Sequence, residues 1–103
     1  MICVIIIGKY DELAPNMGFP SIKSHLQEKP HEFKDRILKH LNNGTVHMVT
    51  ASGVVDVLTG ERVNRELVHM NDGEYSWSSS VAYYVEKYNL ELPEEFINHI
   101  LKQ

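Results

Sequence analysis

Apolar positions recur at helical spacing in three stretches of the chain. Phe33, Ile37, Leu38 and Leu41 form one stripe behind Pro30, a proline suited to a first helical position, with Glu32 in the opening turn. Asn42-Asn43-Gly44 is a stop signal, and Glu32/Arg36 and Asp35/Lys39 are i, i+4 pairs with the acid first. Val81, Tyr84, Val85 and Tyr88 predict a second helix over 79–88. There Ser78, Ser79 and Ser80 offer capping hydroxyls, and Asn89 is a left-handed cap. Phe96, Ile97, Ile100 and Leu101, behind Pro93-Glu94-Glu95, predict a third. A short helix over 21–28 would turn Ile22 and Leu26 to one side.

Elsewhere the pattern is that of strands. Ile2-Cys3-Val4-Ile5-Ile6-Ile7 is apolar on both faces, which predicts a central strand ending at Gly8. Residues 9–20 read as a loop pinned by Tyr10, Leu13, Met17 and Phe19. Short runs at 45–51, 54–58, 61–63 and 66–70 are separated by Ser52-Gly53, Thr59-Gly60 and Asn64-Arg65, with Asp72-Gly73 as the next turn. Glu74-Tyr75-Ser76-Trp77 alternates polar and aromatic, as a half-buried strand does. The expectation is one α+β domain over 1–103: an antiparallel meander sheet, a central N-terminal strand and about three packed helices. Trp77 and Tyr84 should face inward, and Asp72, Glu74, Tyr83, Glu86 and Lys87 outward.

Composition narrows the function classes. A chain of 103 residues, 43% hydrophobic and 23% charged, can bury a core without disulfide or metal staples. Cys3 is the only cysteine, so a reducing compartment suits it and no intrachain disulfide forms. The apolar run 1–7 lacks the basic flank of a secretion signal, and no run approaches the ~20 apolar residues of a membrane helix. A cytoplasmic protein is expected. The net charge of −4 is uneven: residues 1–51 hold six Lys/Arg against five acids, and residues 52–103 hold four against nine. An acidic half disfavours a nucleic-acid backbone and suits a basic protein partner.

Candidate chemistry is sparse. The six histidines, His25, His31, His40, His47, His69 and His99, include no pair at i, i+2 or i, i+4, so local spacing predicts no metal motif. His47 and His69 lie on separate strand candidates and could meet across the sheet, the one arrangement open to acid–base cleavage of RNA. Cys3 reads as a core thiol, the serine run as a cap, and the scattered glycines as turns. The last helix has an acidic polar face, unlike a membrane-surface anchor. No cofactor is expected.

One stretch resembles a known pattern. Asn71-Asp72-Gly73-Glu74-Tyr75-Ser76-Trp77, followed by Ala82-Tyr83-Tyr84-Val85-Glu86-Lys87-Tyr88-Asn89-Leu90-Glu91-Leu92-Pro93-Glu94-Glu95-Phe96, is similar to a C-terminal signature of small bacterial proteins encoded beside toxin genes. These include immunity proteins of polymorphic and contact-dependent growth inhibition toxins. The likeness covers the last third of the chain and carries no catalytic residue. It implies a cytoplasmic, non-enzymatic antidote that covers the active site of a basic toxin domain, such as a nuclease, as a monomer in a 1:1 complex. Asp56, Glu61, Glu66, Asp72 and Glu74 are then the candidate contact acids and Tyr83 the candidate aromatic anchor. Two other functions stay open: a non-catalytic adaptor, and a small nuclease using His47 and His69.

Overall fold

Helices and sheet meet at Trp77, whose indole is 1% exposed and donates from Nε1 to the Leu41 carbonyl at 2.9 Å. The computed structural model describes residues 5–13 and 15–102, with all their side chains except those of Ala51, Ser52 and Asn64. Its elements are β1 (Ile5–Ile6), a 3-10 turn (Ile22–His25), α1 (Lys34–Asn42), β2 (Thr45–Val55), β3 (Arg62–Asn71), β4 (Tyr75–Ser78), α2 (Ser79–Tyr88) and α3 (Glu94–Leu101). The strands form one mixed sheet in the order β1-β4-β3-β2, so the fold class is α+β, as the pattern predicts. Among the described residues no helix is long and apolar enough to cross a membrane.

The core follows from the stripes. β4 alternates buried and half-buried residues, turning Tyr75 and Trp77 onto Phe96 at ring separations of 4.8 and 5.6 Å. Ile37 and Leu41 of α1, Val81 and Tyr84 of α2, and Phe96 and Ile100 of α3 complete the same buried cluster. α2 spans the predicted residues and ends on Asn89 at φ 55°, ψ 44°, a left-handed conformation that asparagine tolerates. Ser78 is its N-cap but makes no capping bond. Ser79 is the serine with structural work: its hydroxyl donates to the Glu66 carbonyl at 2.7 Å and accepts from the Val68 N–H at 3.0 Å, tying α2 to β3.

Three expectations need correction. The N-terminal strand is not central. β1 lies at an edge, parallel to β4, with Ile5 and Ile6 53% and 57% exposed, while Ile2, Cys3 and Val4 lie outside the described residues. A run apolar on both faces fits an uncovered edge as well as a doubly covered centre. The four short strands of the meander are two long ones. Gly53 is no turn but sits within β2 opposite Glu66, at a point where the register shifts, and Arg65 lies inside β3; of the three breaks expected between 45 and 70, the one at Thr59-Gly60 reverses the chain. The first helix begins at Lys34 rather than Pro30, because His31 closes a turn before it: its Nδ1 accepts from the Phe33 N–H and its carbonyl from the Lys34 N–H, both at 3.0 Å.

Loop 9–20 is closed upon itself. Glu12 accepts from the Ser21 hydroxyl at 2.5 Å and the Ile22 N–H at 2.8 Å, bonds that hold its carboxyl below the ordinary range, and Asp11 N–H reaches the Pro20 carbonyl.

Candidate functional site

The six residues expected at a partner surface divide into two groups. Glu61, Glu66 and Glu74 are exposed. Asp56, Asp72 and Tyr83 belong to internal polar clusters, so the exposure expected of these three is not found.

Asp56 is 1% exposed and directly follows β2. One oxygen accepts from the Leu58 and Thr59 N–H groups at 2.8 and 3.2 Å, fixing the turn that leads into β3. The other accepts from the hydroxyls of Tyr83 and Tyr88, both at 2.6 Å. Burial alone would raise the acid's pKa; the four donors outweigh it and hold the carboxyl at about 2. The Tyr88 hydroxyl is correspondingly pushed up to about 12, chiefly by its bond to Asp56. Tyr83 faces inward because a buried carboxylate needs donors, and Lys87 and Arg65 cover the ring from outside at 5.7 and 5.9 Å. Tyr84 is also interior, donating to the Val55 carbonyl and accepting from the Val57 N–H. The Tyr-rich face of α2 is thus an internal clasp on the hairpin.

The second cluster brings together residues far apart in sequence. The Asp72 Oδ1 accepts from the N–H groups of Glu74 and Tyr75 at 3.0 and 2.8 Å. Its Oδ2 meets Nε2 of His40 from α1 and Nε2 of His99 from α3, each at 2.7 Å. Burial opposes the charge here too, but the two backbone donors, followed by the two imidazoles, hold the carboxyl at about 2. Glu74 approaches the other ring nitrogen of His99, with Oε2 3.4 Å from Nδ1. Sequence reasoning missed this group because 32 and 27 residues separate the histidines from Asp72, and spacing rules see only local pairs.

His47 and His69 do meet across the β2–β3 pair, their rings parallel within 5° at 6.4 Å. His47 Nδ1 lies 2.9 Å from the Asn71 amide nitrogen. Elsewhere, a recess of about 830 Å³ opens between residues 26–31 and the α2–α3 connection, lined by Leu26, His31, Lys34, Val85, Leu92 and Ile97. Lys34 is engaged there by the Glu86 carbonyl and the Asn89 side chain.

Several of the exposed apolar side chains lie together on β2. Val46, Met48, Val49 and Val55 are 53, 55, 56 and 44% exposed on an edge strand of eleven residues. No protein-family model, curated protein or solved structure matches this chain.

Proposed function

We propose that this chain is a protein-binding domain that neutralises a basic partner domain, of the toxin-blocking kind, by covering it with the β2–β3 hairpin. The observation that carries the reading is β2 itself. Its eleven residues include no Asp, Glu, Lys, Arg or Pro, and its free edge presents Val46, Met48 and Val49 to solvent. Edge strands are commonly blunted by charge or proline; a long uncharged one is a template for main-chain pairing with another chain. Register shifts bend β2 against β3 at three places, which disfavours flat stacking of identical copies and suits a partner shaped to the curve.

Charge selects the partner. The net charge of −4 attracts a basic domain over distance, with Glu61 and Glu66 exposed on the hairpin. Affinity comes from strand pairing and apolar contact, and the acids set the association rate. Blocking is by occlusion, without turnover. The resemblance of residues 71–77 and 82–96 to immunity proteins supports a toxin as the partner.

A photo-crosslinking residue at position 48, introduced in the native host, tests this. The expected product is a 1:1 adduct with one basic protein, whose toxicity on expression is relieved by the wild-type chain. Val46→Asp should abolish both adduct and protection. Adducts of the chain with itself alone, or protection unaffected by Val46→Asp, would overturn the reading.

A further inference from the structure

Two imidazoles carried by separate helices aim the same ring nitrogen at one carboxylate oxygen. Nε2 of His40 and Nε2 of His99 each lie 2.7 Å from Asp72 Oδ2. We propose that His40, His99 and Asp72 form a binding site for a divalent cation of borderline softness, with Co²⁺ and Zn²⁺ as the probes. The inference does not depend on the partner reading.

The donor set is two nitrogens and one oxygen, and their ligand atoms all lie within 4.8 Å of one another. Such a set suits Zn²⁺ and its first-row neighbours; Mg²⁺ and Ca²⁺ prefer shells built of oxygen. In a tetrahedral site with bonds of about 2.0–2.1 Å, neighbouring ligand atoms stand roughly 3.3 Å apart. The two N···O separations, each 2.7 Å, therefore need to open by about 0.6 Å, within reach of small turns of the two rings. The fourth position falls to water, the arrangement of an open zinc site.

The surroundings hold the ligands in place. Asp72 Oδ1 is occupied by the Glu74 and Tyr75 N–H groups, which leaves Oδ2 directed at the two rings. Glu74 Oε2, 3.4 Å from His99 Nδ1, is placed to accept the proton of that nitrogen once Nε2 ligates, the usual carboxylate–histidine–metal relay. His40 rests against Trp77 at 5.5 Å, and His99 between Tyr75 at 4.7 Å and Phe96 at 6.3 Å, so both rings are held by buried aromatics. The imidazoles are 16% and 14% exposed, open enough for an ion to enter and enclosed enough to favour it over solvent. A bound ion would link α1, α3 and the β3–β4 turn, so it should also stabilise the fold.

The test is a Co²⁺ titration of the metal-free full chain, followed by visible absorption and by NMR of the histidine rings. One equivalent should bind with the intense bands of a low-coordinate nitrogen–oxygen site, paramagnetic shifts should appear at His40 and His99, and Zn²⁺ should displace the Co²⁺. His99→Gln should weaken binding by about 100-fold and Glu74→Gln by about 10-fold. Zn²⁺ should raise the Tm of the wild-type chain and leave that of His99→Gln unchanged. The ring shifts are read on the wild-type chain, so they hold even if a variant folds poorly. No saturable binding, or shifts at His47 and His69 instead, would overturn the proposal.

Discussion

Replacing Tyr83 by phenylalanine separates an internal role for that residue from a role in partner contact. Its hydroxyl is one of two phenols bonded at 2.6 Å to the Asp56 oxygen that makes no backbone bond. A hydrogen bond to a charged, buried acceptor contributes about 1.5–3 kcal/mol, so Tyr83→Phe should lose that much in urea denaturation. The same cluster has an acid limb. The Asp56 carboxyl stands at about 2 in the folded chain against an ordinary 3.8. At about 1.4 kcal/mol per pH unit, the gap corresponds to about 2 kcal/mol. The sign follows from the lowered value: the contribution is complete above the ordinary carboxylate range, declines as pH falls below 3.8 and is gone below about 2. Stability should therefore be measured from pH 7 to pH 2 for the wild type and Asp56→Asn. Asp72 titrates in both chains, so the difference between the curves isolates Asp56, and the variant should lose about 2 kcal/mol less across that window. Partner binding by Tyr83→Phe should be unchanged. A Tyr83→Phe chain within 0.5 kcal/mol of wild type, a change roughly the size of a neutral surface substitution, together with parallel acid limbs, would refute the reasoning.

Other substitutions report on the joints of the fold. Gly44→Ala would set a Cβ 2.7 Å from the Trp77 ring and 3.0 Å from the Met70 Cβ; with Trp77 held on all sides, calorimetric Tm should fall by the equivalent of about 1–3 kcal/mol. Ser79→Ala removes both bonds that this hydroxyl makes to β3 and strands the Val68 N–H, and should lose about 1–3 kcal/mol in urea. Asn89→Ala forces alanine into a left-handed conformation and removes an acceptor from Lys34, so chemical denaturation should show a loss of about 1–2 kcal/mol. Glu61→Lys with Glu66→Lys should slow association with the partner and flatten its salt dependence in stopped flow while leaving dissociation nearly constant.

The helices were legible because each buries one stripe, and a stripe is a local pattern. Residues 79–88 and the left-handed Asn89 agree with the structure, as do the buried Phe96, Ile97 and Ile100 of α3. The sheet was less legible because strand length and position depend on partners far along the chain. Gly53 resembles a turn residue, yet it lies inside β2 against β3, where its missing side chain lets the Arg65 carbonyl approach; a Cβ there would meet that oxygen at 3.2 Å. Ile5 and Ile6 have the composition of a central strand, and only the placement of β4 makes them an edge. The polar clusters were hidden for a related reason. Charge counts treat Asp56 and Asp72 as surface acids, whereas phenols 27 and 32 residues beyond Asp56, and histidines on two helices beside Asp72, draw both into the interior. The exposed β2 was in plain view as an uncharged stretch, but four presumed strands concealed its length.

The most direct measurement of the account is backbone hydrogen exchange on the chain alone and in complex with the protein that crosslinks at position 48. If β2 adds the partner to the sheet, the outward amides of residues 45–49 should exchange readily in the free chain and become strongly protected in the complex. Unchanged exchange along β2, with new protection confined to the helices, would contradict it.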